Sequence, residues 1–94
     1  MDVIWTRQAL RSLESMADYI ARDNPQAAYE VTEAIRRAAL RLGDFPQLGR
    51  PGRRAGTRER PVAGVPYVLI YRIRGAAVEI LEVFHTSRRF PPEV

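Results

Sequence analysis

His85, Glu59 and several arginines of the second half of the chain are the first candidates for acid–base chemistry. His85 is the single histidine, and Glu59 lies between Arg58 and Arg60. A carboxylate, an imidazole and several guanidinium groups could act as base, acid and phosphate clamp if they met on one face of a sheet. The residues of such a set are Arg58, Glu59, Arg72, His85 and Arg88.

The same residues have simpler structural interpretations. A lone histidine at the end of a strand, such as His85, is more often a hydrogen-bonding partner than a catalyst. A glutamate between two arginines, such as Glu59, is expected to be a solvated member of an ion pair. We therefore predict no catalytic residue from these patterns alone.

Metal and nucleotide sites are not indicated by the sequence. The chain has one histidine and no cysteine, so it offers no recognisable cluster of metal ligands. The segment Gly49-Arg50-Pro51-Gly52 lacks the lysine and the helix start of a phosphate-binding loop. We predict neither a metal nor a cofactor.

The positive charge of the chain comes entirely from arginine. All 15 basic residues are arginines, and the formal net charge is +4. A run in the second half could be joined by others across a sheet, and together they are Arg50, Arg53, Arg54, Arg58, Arg60, Arg72, Arg74, Arg88 and Arg89. Such a surface attracts nucleic acid or an acidic protein segment, and a merely solvated basic face is an equal alternative.

Length and composition indicate a single domain over residues 1–94. A chain of this size buries about two thirds of its unfolded surface, so a stabilising partner is plausible. The absence of cysteine fits a reducing compartment. Residues 1–6 contain no basic segment followed by an apolar core, and no run approaches roughly 18 apolar residues, so we expect neither secretion nor membrane insertion. We expect a soluble, cytoplasmic protein.

Two amphipathic helices are predicted after a short β-prone stretch at residues 3–5. The first follows Thr6, whose hydroxyl suits an N-cap, and ends near Arg22. The second follows Asn24, a good N-cap before a proline, and Gly43 is expected to cap its C-terminus. The connection is two or three residues long, which predicts an antiparallel helix hairpin.

The second half of the chain is β in character. Residues 44–57 are rich in Pro, Gly and Arg and are expected to form a surface loop. Three strands are predicted at residues 58–62, 67–74 and 78–84, and the apolar middle one is expected to be central. The order βααβββ predicts a two-layer α+β domain, with the helix hairpin packed on a mainly antiparallel sheet.

Short segments spread along almost the whole chain carry a family resemblance. They are Tyr19-Ile20-Ala21 with Asn24-Pro25 and Ala27-Ala28, Phe45-Pro46 with Gly49-Arg50-Pro51-Gly52, Gly56-Thr57-Arg58-Glu59 with Gly64, Pro66-Tyr67, Tyr71-Arg72, and Ile80-Leu81 with His85 and Arg88-Arg89. In their order and spacing they resemble the ParE/RelE toxin superfamily, in particular its ParE branch and the related plasmid stabilisation proteins. The resemblance implies the toxin of a type II toxin–antitoxin system with the predicted fold.

The branch of the superfamily decides the mechanism. RelE-like members are ribosome-dependent mRNA endonucleases that commonly use Lys, Arg, Glu, His and a C-terminal Tyr, whereas ParE-like members are associated with inhibition of DNA gyrase. Here there is no lysine, the last tyrosine is Tyr71, and Phe90 cannot transfer protons. The resemblance therefore favours a non-enzymatic DNA gyrase inhibitor.

Two alternatives remain open. An mRNA endonuclease (mRNA interferase) of RelE type would use the five residues named at the outset as its possible base, acid and phosphate clamp. A harmless protein that only binds an antitoxin is the third interpretation, and lack of growth arrest on expression would favour it.

The resemblance also implies two binding surfaces. Contact with the target is expected from Arg58, Arg72, Arg88, Arg89 and Phe90. A ParD-like antitoxin, acidic and made of an amphipathic helix followed by an extended segment, is expected to form a hetero-oligomer with the toxin. Its predicted contacts are Trp5, Tyr19, Tyr29, Leu48, Arg60 and Arg74, although the apolar members could instead be core. An exposed sheet edge could also accept a strand from a partner.

Overall fold

The structure, a computed structural model, describes residues 1–87 as two helices packed on a five-stranded sheet. The elements in chain order are β1 (Asp2–Trp5), α1 (Arg7–Ala21), α2 (Pro25–Asp44), a 3-10 turn (Pro46–Leu48), β2 (Arg50–Pro51), β3 (Arg58–Pro61), β4 (Tyr67–Arg74) and β5 (Ala77–His85). The strand order is β1-β5-β4-β3-β2, with β1 parallel to β5 and the other pairs antiparallel. The predicted two-layer α+β fold is confirmed, and β2 is an additional strand.

Both helices begin at the predicted caps. Thr6 Oγ1 accepts a hydrogen bond from the Ala9 amide at 3.1 Å, and Asn24 Oδ1 accepts one from the Ala27 amide at 3.1 Å. These bonds satisfy amides that have no partner inside the first turn of a helix. Residues 22–24 then connect α1 to α2, and the two helices pack on each other as a hairpin.

The role predicted for Gly43 is wrong. Gly43 lies inside α2, which ends at Asp44 and is followed by the cap residue Phe45. A Cβ atom at Gly43 would lie 2.7 Å from the carbonyl oxygen of Met1, and the amino group of Met1 donates to the Gly43 carbonyl at 2.8 Å. Glycine is therefore needed here for the close approach of the chain start to α2.

The core lies between the helices and one face of the sheet. Strand β4 is in the middle of the sheet, as predicted, and its alternate residues Tyr67, Leu69 and Tyr71 are buried toward the helices. They pack with side chains of both helices and of β5, such as Ile35 and Ile80. Burial of each large apolar side chain contributes about 1.5–3 kcal/mol. The residues between them on β4 point to the opposite face.

The loop predicted at residues 44–57 folds onto the domain, as expected, and is more ordered than its composition suggests. It contains the 3-10 turn and β2. The hydroxyl of Tyr71 donates to the carbonyl oxygen of Pro46 at 2.6 Å and accepts from the Gly49 amide at 2.8 Å. A side chain at Gly49 would collide with the Tyr71 ring. Tyr71 thus anchors the loop on the central strand.

Neither helix of the described residues is both long enough and apolar enough to cross a membrane.

Candidate partner-binding surfaces

The residues considered for acid–base chemistry lie on two different faces of the sheet. Arg58 is opposite Tyr71 across the strand pair, whereas Glu59 is opposite Ile70. Successive side chains of a strand point to opposite faces, so Arg58 lies on the helix side and Glu59 on the other side. Arg72 shares the face of Glu59, because it is two residues beyond Ile70 on β4. The set does not converge on one face.

Glu59 is buried rather than solvated, so the expectation of an exposed ion-pair member is wrong. Its side chain is only 3% exposed. Oε2 accepts a hydrogen bond from the Arg53 amide at 3.0 Å, and Oε1 lies 3.7 Å from Arg50 Nη2 and 3.9 Å from Arg53 Nε. Burial follows from the short strand β2, which places Arg50 directly opposite Glu59. The carboxylate ties residues 50–54, which we call the arginine loop, to β3.

His85 makes structural contacts at the end of β5. Its ring packs edge-on against Tyr67, with ring centroids 5.1 Å apart. Nδ1 accepts a hydrogen bond from the Ser87 amide at 3.1 Å, and Ser87 Oγ lies 2.7 Å from the same nitrogen. Because His85 is opposite Tyr67 in the register, it lies on the helix side of the sheet, away from Glu59. The geometry supports the structural interpretation of this histidine.

Two arginines considered for target contact already have partners within the fold. Arg58 Nη1 donates to the Gly49 carbonyl at 2.6 Å, next to the Tyr71 anchor of the loop. Arg72 Nε donates to Glu79 Oε1 at 2.6 Å, and Arg74 Nη1 lies 3.9 Å from Glu79 Oε2. Arg72 and Arg74 remain partly exposed on the face opposite the helices. The other expected target contacts, Arg88, Arg89 and Phe90, lie outside the described residues.

The six residues predicted to bind an antitoxin do not form a single surface. Trp5 and Leu48 are partly buried and pack against the core. Tyr19 and Tyr29 are strongly exposed on the helix hairpin. The remaining two lie on opposite faces of the sheet. Arg60 is opposite Leu69, which is buried toward the helices, whereas Arg74 is two residues beyond Arg72 on β4 and shares the face of Arg72. Of these six residues, only Tyr19 and Tyr29 present strongly exposed aromatic side chains.

Two exposed apolar residues lie at the other end of the hairpin, and sequence reasoning missed one of them, Leu40. Leu40 on α2 is 67% exposed, and Phe45 just after α2 is also exposed, with the Arg41 guanidinium 5.1 Å from its ring centre. Tyr29 and Leu40 are 11 residues apart, and at about 100° per residue they lie on the same side of α2. The signal was present in the sequence, because Leu40 is off the stripe formed by Ile35, Ala39 and Leu42. We call Tyr19, Tyr29, Leu40 and Phe45 the hairpin surface.

No group of three or more potential metal-ligating side chains is found within residues 1–87. The prediction that no metal is bound stays a prediction.

Comparison with known proteins identifies the family. The family model described as the ParE toxin of the type II toxin-antitoxin system parDE matches residues 3–90. The chain is 44% identical over 87 residues to Y4kP of Sinorhizobium fredii, a candidate toxin, with 93% of this chain and 90% of the relative covered. It is 33% identical over 86 residues to the toxin RelE2 of Caulobacter vibrioides, covering 92% and 96% of the two chains.

A solved structure has the same fold. A chain from the chromosomal ParDE toxin–antitoxin system of P. aeruginosa superimposes with a TM-score of 0.82 at 24% identity, over 93% of this chain and 97% of the other. This likeness concerns the fold, and the family follows from the sequence matches. The chain therefore belongs to the ParE family of toxins from type II toxin–antitoxin systems.

Proposed function

We propose that this ParE-family toxin inhibits DNA gyrase by binding, without being an enzyme, and that a ParD-like antitoxin neutralises it in the cytoplasm. The observation that carries the proposal is the separation of the acid–base candidates. Glu59 and Arg72 lie on one face of the sheet, and Arg58 and His85 lie on the other. Cleavage by general acid–base chemistry needs its groups within hydrogen-bond reach of one substrate. A binding mode of action requires no such convergence.

The hairpin surface supports antitoxin binding. Tyr29 and Leu40 lie roughly 16 Å apart along α2, given a rise of 1.5 Å per residue. A partner helix of about three turns would cover both, since an amphipathic helix lays its apolar face on an apolar surface. Tyrosine is among the residue types enriched at the energetic centres of interfaces. Tyr19 adds an exposed aromatic side chain near the C-terminal end of α1, with the Arg22 guanidinium 5.9 Å from its ring centre.

The experiment that tests this proposal is induction of the chain alone in a bacterial host. Growth, the DNA-damage response and transcript integrity are scored together, and a truncation lacking residues 88–94 is induced in parallel. We expect growth arrest with a damage response, intact transcripts, and relief by the truncation. Unimpaired growth of cells that contain the full-length chain would contradict toxicity itself.

An mRNA endonuclease of RelE type is the second candidate. The observation in its favour is the 33% identity to a toxin named RelE2. This function would use the five residues Arg58, Glu59, Arg72, His85 and Arg88. The same induction separates the two proposals, because an endonuclease fragments transcripts and causes no DNA-damage response. His85→Ala is the decisive variant: it would abolish fragmentation by an endonuclease that uses His85, and we expect it to leave growth arrest unchanged.

A further inference from the structure

Two carboxylates on the sheet face opposite the helices each lie between two arginines. Glu59 is within 3.9 Å of the guanidinium groups of Arg50 and Arg53. Glu79 Oε1 lies 2.6 Å from Arg72 Nε, and Glu79 Oε2 lies 3.9 Å from Arg74 Nη1. We call the surface formed by Arg50, Arg53, Arg72 and Arg74, with these two glutamates, the arginine face.

The strand register puts both clusters on the same face. Arg50 is opposite Glu59 and Glu59 is opposite Ile70, whereas Glu79 is opposite Arg72. Ile70 and Arg72 are two residues apart on β4 and so point to the same side. With strands roughly 4.8 Å apart and a rise of roughly 3.3 Å per residue, the backbone positions of Glu59 and Glu79 are separated by roughly 12 Å.

Burial within the arginine face is uneven. The two glutamate side chains are 3% and 18% exposed, whereas the four arginine side chains are 43–69% exposed. The buried carboxylates therefore hold guanidinium groups that reach solvent. Four arginines against two glutamates give the arginine face a net positive charge. A guanidinium carries five N–H donors, so the carboxylate contacts of Arg50, Arg72 and Arg74 leave donors for a second anion.

The chemistry of this face fits nucleic acid better than a protein partner. Ile70 and Phe84, the large apolar side chains of β4 and β5 on this side, are almost fully buried. On the edge strand β1, Ile4 is opposite Glu79 and is 48% exposed, so one apolar side chain is open at the margin of this face. Protein interfaces depend on groups of apolar or aromatic anchors that are free to enter a pocket. Interfaces with DNA are more polar and more positively charged.

We propose that the arginine face binds the phosphate backbone of duplex DNA without reading its sequence. Duplex DNA carries about one negative charge per 1.7 Å of axis, so a spacing of roughly 12 Å allows Arg50 on one side, and Arg72 with Arg74 on the other, to contact different phosphates. Contacts to phosphates alone carry affinity and no sequence information. The proposal goes beyond the gyrase function, since it requires neither gyrase nor an antitoxin.

The test is a salt titration with the purified full chain and a short fluorescent duplex, followed by anisotropy. Three phosphate contacts predict a slope of log affinity against log salt of about −2.7, and a dissociation constant of about 10⁻⁵ M at physiological salt. The double variant Arg72→Gln, Arg74→Gln is expected to bind more weakly, with the slope reduced in size by about 1.8. Arg74→Gln alone is expected to reduce it by about half as much.

The matched control is Arg7→Gln, Arg11→Gln, which removes the same charge from exposed positions on α1. We expect it to retain most of the affinity and slope, with circular dichroism confirming that both double variants are folded. Equal losses in the two double variants would show that net charge, and not this face, attracts DNA. Equally tight binding to poly-glutamate, tighter binding to single-stranded RNA, or no binding at low salt would each overturn the proposal. Growth arrest is scored separately, so failure here leaves the gyrase proposal intact.

Discussion

The hydroxyl of Tyr71 on the central strand donates to the carbonyl oxygen of Pro46, 25 positions earlier in the chain, at a distance of 2.6 Å. The same oxygen accepts from the Gly49 amide, so one side chain holds both ends of the 3-10 turn against the sheet. The ring is fully buried, and this contact therefore links the core directly to the arginine loop.

Tyr71→Phe should test this anchor. Loss of the hydroxyl leaves a buried amide and carbonyl without this partner, which costs about 1–3 kcal/mol of unfolding free energy. For a domain of this size we expect the Tm to fall by at least about 4 °C. Tyr19→Phe, at an exposed tyrosine, is the control and should leave the Tm unchanged. Equal Tm values for both variants would contradict the anchoring role.

Glu59→Gln should destabilise the fold more than its conservative shape suggests. The amide retains a hydrogen-bond acceptor for Arg53 but loses the charge that faces Arg50 and Arg53, and we expect a loss of about 1.5–3 kcal/mol in urea unfolding. Glu14→Gln on the exposed side of α1 is the matched control, expected to change stability by less than about 0.5 kcal/mol. If Glu59→Gln is as stable as its control, the carboxylate does not hold the loop.

Two physical effects predict opposite changes in stability for Gly43→Ala. Helix propensity alone predicts stabilisation by about 1 kcal/mol. The new Cβ would lie 2.7 Å from the Met1 carbonyl oxygen and 2.9 Å from Val3 Cγ2, so we expect destabilisation by about 1–3 kcal/mol instead. Thermal unfolding measures the sign directly, and a higher Tm would show that β1 does not approach α2 as closely as described.

Leu40→Glu should weaken antitoxin binding without affecting the fold. The side chain is exposed, so its replacement costs little stability, but a charge on the hairpin surface must be desolvated under a partner helix. We expect affinity for the cognate antitoxin to fall at least about tenfold, which corresponds to 1.4 kcal/mol. Ala55→Glu adds the same charge at the exposed loop and should bind normally. Unchanged affinity of Leu40→Glu would place the antitoxin elsewhere.

Patterns of neighbouring residues predicted the helices and the longer strands. Features that depend on pairing between distant segments of the chain were missed. Thr6 and Asn24 were recognisable caps because a cap depends on three or four neighbouring residues. The burial of Glu59 depends on a two-residue strand that no periodicity could reveal. Tyr71 looked like an ordinary core residue, because its partners Pro46 and Gly49 are supplied by a loop far away in the sequence.

The candidate sites were harder to predict than the fold for a related reason. Arg58 and Glu59 are adjacent on strand β3, so their side chains point to opposite faces of the sheet. Arg72 and Glu79 are joined only through the pairing of β4 with β5. Composition indicated an arginine-rich surface, but the strand register decided which arginines share a face.

The most direct test of the central claim is a supercoiling assay with purified DNA gyrase, relaxed plasmid and increasing amounts of the purified chain. We predict that supercoiling is inhibited, that broken DNA linked to gyrase accumulates, and that the cognate antitoxin reverses both effects. Full supercoiling at every concentration, with cleavage of ribosome-bound mRNA by the same preparation, would contradict the account and assign the chain to the endonuclease branch.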